Sequence, residues 1–250
     1  MKFILCAVTL AILAAYSKAE LDPEIPKKWK TREDAGVAVR DKLFEKLFAT
    51  YKPENYAENS TVKVGVSLLD VSFDADNDIM NTNVWIRMLW KDNRLTWDEA
   101  EFPVGVLRIP ADKVWKPDIT LYNGVKPNME CFETNVIVYP NGMVLWVPPC
   151  HLQTYCNLTL NHGAYEEQIC TLKFGSWTFD GFTMGLELYN NKNNTLVDVE
   201  DYFNRKWEVT QNTAVREEKF YDCCVEPYFN ILFTLRFQRK PEGGATCKKH

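Results

Sequence analysis

The chain has 250 residues and a formal net charge of −5, which becomes −7 if the first 19 residues are removed, because Lys2 and Lys18 leave with no acid. An acidic balance argues against nucleic acid and anionic membrane surfaces as partners, and weakly favours a cationic ligand. The remaining length of about 230 residues suffices for one all-β domain with a real core, and no later apolar run reaches the roughly 18 residues of a membrane helix.

The N-terminus reads as a targeting signal. Lys2 supplies a positive start, residues 3–15 are nearly all apolar, and Ser17-Lys18-Ala19 places small residues at a cleavage site. The expected organisation is a signal peptide over 1–19, one domain over 20–240 and a flexible tail over 241–250. Secretion is the expected localisation. Asn59, Asn157 and Asn193 each open an Asn-x-Ser/Thr sequon and are candidate glycan sites.

Residues 31–51 predict the one good helix. Thr31 and Asp34 have capping-box-like spacing. Val37, Arg40, Leu43, Phe44, Leu47 and Phe48 recur at helical intervals and give one apolar stripe. From Val62 the period switches to two. Val62, Val64, Val66 and Leu68 alternate with Lys63, Gly65 and Ser67, as in a half-buried strand. Turn residues follow at 74–78. In the next run Val84, Ile86, Met88 and Trp90 share one face and read as core, while Trp85, Arg87 and Leu89 share the other. A tryptophan beside an arginine on an outer face suggests an interface or a ligand wall, or else a ring packed under a loop.

In Trp115-Lys116-Pro117-Asp118-Ile119-Thr120-Leu121-Tyr122-Asn123, Pro117 and Asp118 prevent a regular central strand, so the segment reads as an ordered loop presenting Tyr122. Pro140-Asn141-Gly142 suits a type I turn closed by a left-handed glycine. That register pairs Tyr139 with Met143, Ile137 with Leu145 and Asn135 with Val147, placing Ile137, Leu145 and Val147 on one face, which reads as core. It also brings Cys131 within one residue of the position opposite Cys150, where Pro148 and Pro149 disturb the ladder. A bridge across the hairpin base stays open.

Cys156 and Cys170 follow, with thirteen residues between them, and Cys170-Thr171-Leu172-Lys173-Phe174-Gly175-Ser176-Trp177-Thr178-Phe179-Asp180-Gly181 comes directly after. Residues 189–204 are rich in Asn and Asp and read as a long irregular loop. Residues 208–220 and 228–237 read as two strands, the second with Ile231, Phe233, Leu235 and Phe237 alternating. Between them lies Phe220-Tyr221-Asp222-Cys223-Cys224-Val225-Glu226-Pro227-Tyr228. Two adjacent cysteines pair elsewhere, or they close a strained ring of the kind that marks functional sites.

These segments resemble the nicotinic acetylcholine receptors and the soluble acetylcholine-binding proteins. The double cysteine between tyrosines is similar to the ligand-capping hairpin. The W-x-P-D-x-x-L-Y-N run over 115–123 matches the family signature position for position. The thirteen-residue spacing is the one that names the Cys-loop family, and the run after Cys170 resembles the strand carrying the family's central tryptophan. The loop between Cys156 and Cys170 departs from the receptors: it is polar and lacks their apolar Phe-Pro-Phe-Asp centre.

The resemblance covers roughly residues 34–240 and is closest to the acetylcholine-binding proteins. It implies a twisted, immunoglobulin-like all-β sandwich with one N-terminal helix, assembled as a ring of five. It implies bridges Cys131–Cys150, Cys156–Cys170 and Cys223–Cys224, leaving Cys247 free or paired between chains. It implies a ligand site between neighbouring copies. The principal face would be Tyr122, Trp177, Tyr221, Cys223, Cys224 and Tyr228; the complementary face would be Trp85 with Ile137, Leu145 and Val147. The expected ligand is a small cation such as acetylcholine or a nicotine-like alkaloid, with no cofactor or metal. Asn230 stands where the family often has an aspartate near a lysine matching Lys173, which puts an electrostatic link behind hairpin closure in doubt.

Two other readings keep the fold: the extracellular part of a ligand-gated channel, and a binding module for another amine. Catalysis is disfavoured, because His151, His162 and His250 have neither metal-ligand spacing nor a neighbouring nucleophile motif.

Overall fold

A computed structural model describes residues 36–158, 167–189, 197–222 and 224–241. The signal peptide, the expected helix cap at Thr31 and Asp34, most of the polar loop between Cys156 and Cys170, Asn193, Cys223 and Cys247 lie outside the described residues.

Helix α1 spans Val37–Phe48, shorter at its end than the 31–51 its periodicity predicts. Leu43 and Leu47 are buried, Phe44 and Phe48 pack against the core, and Val37 is 74% exposed, off the stripe it was expected to join. Tyr51 is drawn out of the helix by a hydrogen bond from its hydroxyl to Asp92 Oδ2 at 2.8 Å, and Pro53 brings no N–H for a further turn. Asp92 is buried and answered by Arg94 Nε and Nη2 at 2.8 and 2.7 Å, so its charge is paired where water cannot reach it.

The strands are β1 (Thr61–Asp74), β2 (Ile79–Thr96), β3 (Leu107–Ile109), β4 (Ile119–Leu121), β5 (Glu130–Cys131), β6 (Val136–Val138) and β7 (Asn141–Trp146). They continue as β8 (Pro149–Tyr155), β9 (Glu167–Ser176), β10 (Gly185–Leu188), β11 (Trp207–Lys219) and β12 (Tyr228–Arg239). Two sheets form a sandwich. One has the order β10-β1-β2-β7-β6-β3, with β8 also paired to β2 and β5 to β8; the other has the order β11-β12-β9-β4.

The period-two runs supply the core. Val62, Val64, Val66 and Leu68 of β1 and Val84, Ile86, Met88 and Trp90 of β2 meet Leu172 and Phe174 of β9 and Ile231, Phe233, Leu235 and Phe237 of β12 in one buried cluster. Phe174 and Phe233 cross edge to face at 6.0 Å, a favoured aromatic geometry.

The β6–β7 hairpin takes the expected register, with Ile137 opposite Leu145 and the Tyr139 N–H donating to Met143 O at 2.9 Å. Gly142 has φ +81°, and a Cβ there would meet Asp92 O at 2.7 Å. Only glycine fits that position. Ile137, Leu145 and Val147 are half-buried, whereas Val136, Val138 and Val144 fill the core. The core reading of the first three is therefore corrected: they lie on the outer face.

Cys131 and Cys150 are bridged, as are Cys156 and Cys170. Cys131 lies directly opposite Cys150 in the β5–β8 pairing. The one-residue offset from the hairpin register lies between β5 and β6, because β7 and β8 pair with β2 in one unbroken register across Pro148 and Pro149. No helix among the described residues is long and apolar enough to cross a membrane.

Candidate functional site

The site grows from two polar side chains that fasten residues 118–123 to β9. Asn123 uses its amide like a piece of backbone: Nδ2 donates to Thr171 O at 2.9 Å, and Oδ1 accepts the Lys173 N–H at 3.0 Å. Asp118 accepts from Ser176 Oγ at 2.6 Å and from both the N–H and the hydroxyl of Thr178 at 2.7 Å. Three donors converge on one carboxylate and fix the backbone on both sides of Trp177. Its ring is left 73% exposed at the end of β9.

Tyr122 continues from β4 along the same edge. Its N–H donates to Lys173 O at 2.7 Å, and its hydroxyl donates to the carbonyl of Ser176. The ring lies on Gly175, where a Cβ would come within 2.5 Å of the phenol oxygen, so glycine is required for the approach. It crosses Trp177 edge to face at 6.3 Å. Burial pushes the Tyr122 phenol up to about 12, reinforced by the repulsion that its phenolate would meet from Tyr221, Asp118 and Tyr228 in their ionised forms. The phenol therefore stays a neutral donor across the physiological range.

Tyr221 and Tyr228 stand at the base of the connection between β11 and β12 and cross edge to face at 5.5 Å. The Cys224 N–H donates to Tyr221 O at 3.0 Å, and the Gly181 N–H donates to Pro227 O at 2.6 Å, which ties the hairpin to the segment after Trp177. Cys224 is disulfide-bonded. Arg216 stacks over Phe229 at 3.8 Å and donates to Leu186 O at 2.7 Å, pinning β11 and β12 to β10. Tyr122, Trp177, Tyr221 and Tyr228 thus share one end of the four-stranded sheet.

The other four residues sit on the larger sheet. Cross-strand partners share a face. Leu89 pairs with Leu145 and Leu145 with Ile137, so Trp85, Leu145, Val147 and Ile137 form one outer, half-buried patch. Arg87 on the same face donates to Asp198. The structure brings the first group together and leaves the second on the opposite sheet.

Asp118, Gly175, Arg216 and Glu217 were missed as site-shaping residues in the sequence. A carboxylate and a glycine flanking the aromatic positions were the only available signal, and it does not say what they touch. Glu217 pairs with Lys173 at 3.7 Å, on the strand beside Asn230. Among the described residues no cluster of three His, Cys, Asp or Glu side chains could hold a metal.

Sandwich and aromatic cluster together define a receptor-type ligand-binding β-domain. The family model for the neurotransmitter-gated ion-channel ligand binding domain matches residues 38–241, and the chain belongs to that family. It is 41% identical over 213 residues to acetylcholine receptor subunit beta-like 1 of Drosophila melanogaster, covering 83% of this chain and 40% of the relative. It is 38% identical over 208 residues to acetylcholine receptor subunit alpha-type acr-16 of Caenorhabditis briggsae, covering 80% and 41%. It is 35% identical over 215 residues to human neuronal acetylcholine receptor subunit alpha-6, covering 82% and 43%. The chain spans about two-fifths of the length of these relatives.

Proposed function

We propose that this chain binds acetylcholine and related nicotinic cations in an aromatic cage between neighbouring copies, and works as a secreted, soluble ring of five. One observation carries the reading: Tyr122 crosses the uncovered indole of Trp177, Tyr221 crosses Tyr228, and the second pair stands near enough to act on the Tyr122 phenol. A quaternary or protonated amine carries a diffuse charge, and aromatic faces replace its hydration. Each such contact is worth about 0.5–1 kcal/mol when exposed and about 2 when desolvated.

Trp177 contributes the main face, and its carbonyl accepts a hydrogen bond from a protonated amine. Tyr221 and Tyr228 close over the ligand, with a Cys223–Cys224 bridge stiffening the tip. Trp85, Ile137, Leu145 and Val147 of the next copy complete the wall. The two half-sites lie on different sheets, so head-to-tail contact closing into a ring lets them meet.

Residues 1–19 are removed as a signal peptide in this reading, residues 20–240 are the binding domain, and 241–250 trail from it. Asn59 and Asn157 are exposed and open to glycans. A second reading, the extracellular part of a ligand-gated channel, is favoured by one fact: the relatives are receptor subunits more than twice the length matched. A transcript extending into four apolar spans decides for it.

Titrating intrinsic tryptophan fluorescence with acetylcholine and nicotine tests the cage. Saturable quenching or enhancement by both is expected. No response to either removes the proposal.

A further inference from the structure

Arg87 poses an electrostatic problem for the site proposed above. It lies two residues from Trp85 on the same face of β2, and residues so spaced on a strand are about 7 Å apart. A bare guanidinium there repels any cation brought against Trp85. The chain answers it from a distant segment. Asp198 accepts from Arg87 and from Ser67 Oγ at 3.2 Å, and its other oxygen accepts the Glu200 N–H at 3.0 Å. Backbone bonds between Asp198 and Val66 and from Leu68 to Asp198, at 2.9 and 2.8 Å, set this residue against β1. Tyr189 lies over Gly65, and Arg87 stands 6.0 Å from its ring. Burial alone raises the Asp198 carboxyl, but its hydrogen bonds from Glu200, Arg87 and Ser67 win and hold it below the usual carboxylate range.

We propose that Asp198 is a specificity-determining residue: by neutralising Arg87 beside Trp85, it lets the complementary face accept a cation. The proposal rests on the interface reading above. It assigns the two partners opposite signs. An uncompensated charge about 7 Å away changes cation affinity about threefold under bulk-water screening and about tenfold where screening is a little under half as strong.

The test measures acetylcholine affinity on the assembled full chain for the parent, Asp198→Asn, Arg87→Gln and the double variant, at low and high salt. Asp198→Asn should weaken binding three- to tenfold, Arg87→Gln should strengthen it by a similar factor, and the double variant should return to near the parent. Both shifts should shrink in high salt. Arg87→Lys, which keeps the charge and avoids the larger change, should match the parent. If both single variants weaken binding and the double variant is worse still, the pair merely holds the 197–203 segment and the proposal is overturned. A parent that binds no acetylcholine overturns the interface reading instead, and this proposal with it.

Discussion

Glu217 and Asn230 face each other across β11 and β12, and it is Glu217 that reaches Lys173, at 3.7 Å. Asn230 is buried, and its Oδ1 has no hydrogen-bond partner among the described residues. The carboxylate expected beside this lysine therefore stands one strand away. Burial holds the Lys173 ammonium below its usual range, and neighbouring Lys219 adds to the effect while Glu217 opposes it.

Removing that carboxylate with Glu217→Gln should cost only about 0.5 kcal/mol in urea unfolding, since the pair is partly exposed and screened. Asn230→Asp should raise the Lys173 pKa by placing a second carboxylate nearby. NMR titration of the lysine ammonium reads this directly. An unchanged value means the new carboxylate does not reach Lys173.

Trp177 and Asp118 should separate binding from stability. Trp177→Ala removes a ring that is 73% exposed, so the unfolding midpoint should barely move while cholinergic affinity is lost. Asp118→Asn strips charge from an acceptor of three hydrogen bonds, and should cost about 1–3 kcal/mol. Calorimetry beside ligand titration gives both numbers. Unchanged affinity in Trp177→Ala refutes the cage.

The core was legible because burial on one face writes itself as period two. Val62 to Leu68 and Ile231 to Phe237 show it plainly. The outer face was less legible. Ile137, Leu145 and Val147 alternate as regularly as core residues do, and parity cannot say which side of a sheet meets solvent. The one-residue shift that brings Cys131 opposite Cys150 lies between β5 and β6, while the chain through Pro148 and Pro149 keeps its register along β2, so the two prolines pointed to the wrong strand. Glu217 was invisible as a partner of Lys173, because cross-strand pairing joins residues 44 apart in the chain only once β9, β12 and β11 are set side by side.

Alkaline pH should expose the buried phenols. In the folded chain Tyr122 loses its proton near 12, against about 10 when unfolded, so the folded state holds the proton more tightly. This contribution is fully present below pH 10 and is lost as pH rises through about 12. Burial raises Tyr51 and Tyr202 in the same direction. Urea midpoints should therefore fall between pH 10 and 12, and less steeply in Tyr122→Phe. A midpoint independent of pH there means that the phenol titrates freely.

Ring assembly should depend on the outer patch of the larger sheet. Leu145 lies between Ile137 and Leu89 in register, half-buried, and faces away from the core. A guanidinium at that position can reach water in an isolated copy but is trapped without a partner once a neighbour covers the patch, and such burial is costly. Leu145→Arg should leave the sandwich folded, with far-ultraviolet circular dichroism unchanged, while shifting sedimentation from a five-fold assembly to single chains. If the parent itself sediments as a stable monomer at micromolar concentration, the two half-sites have no neighbour to join, and the cage between copies fails.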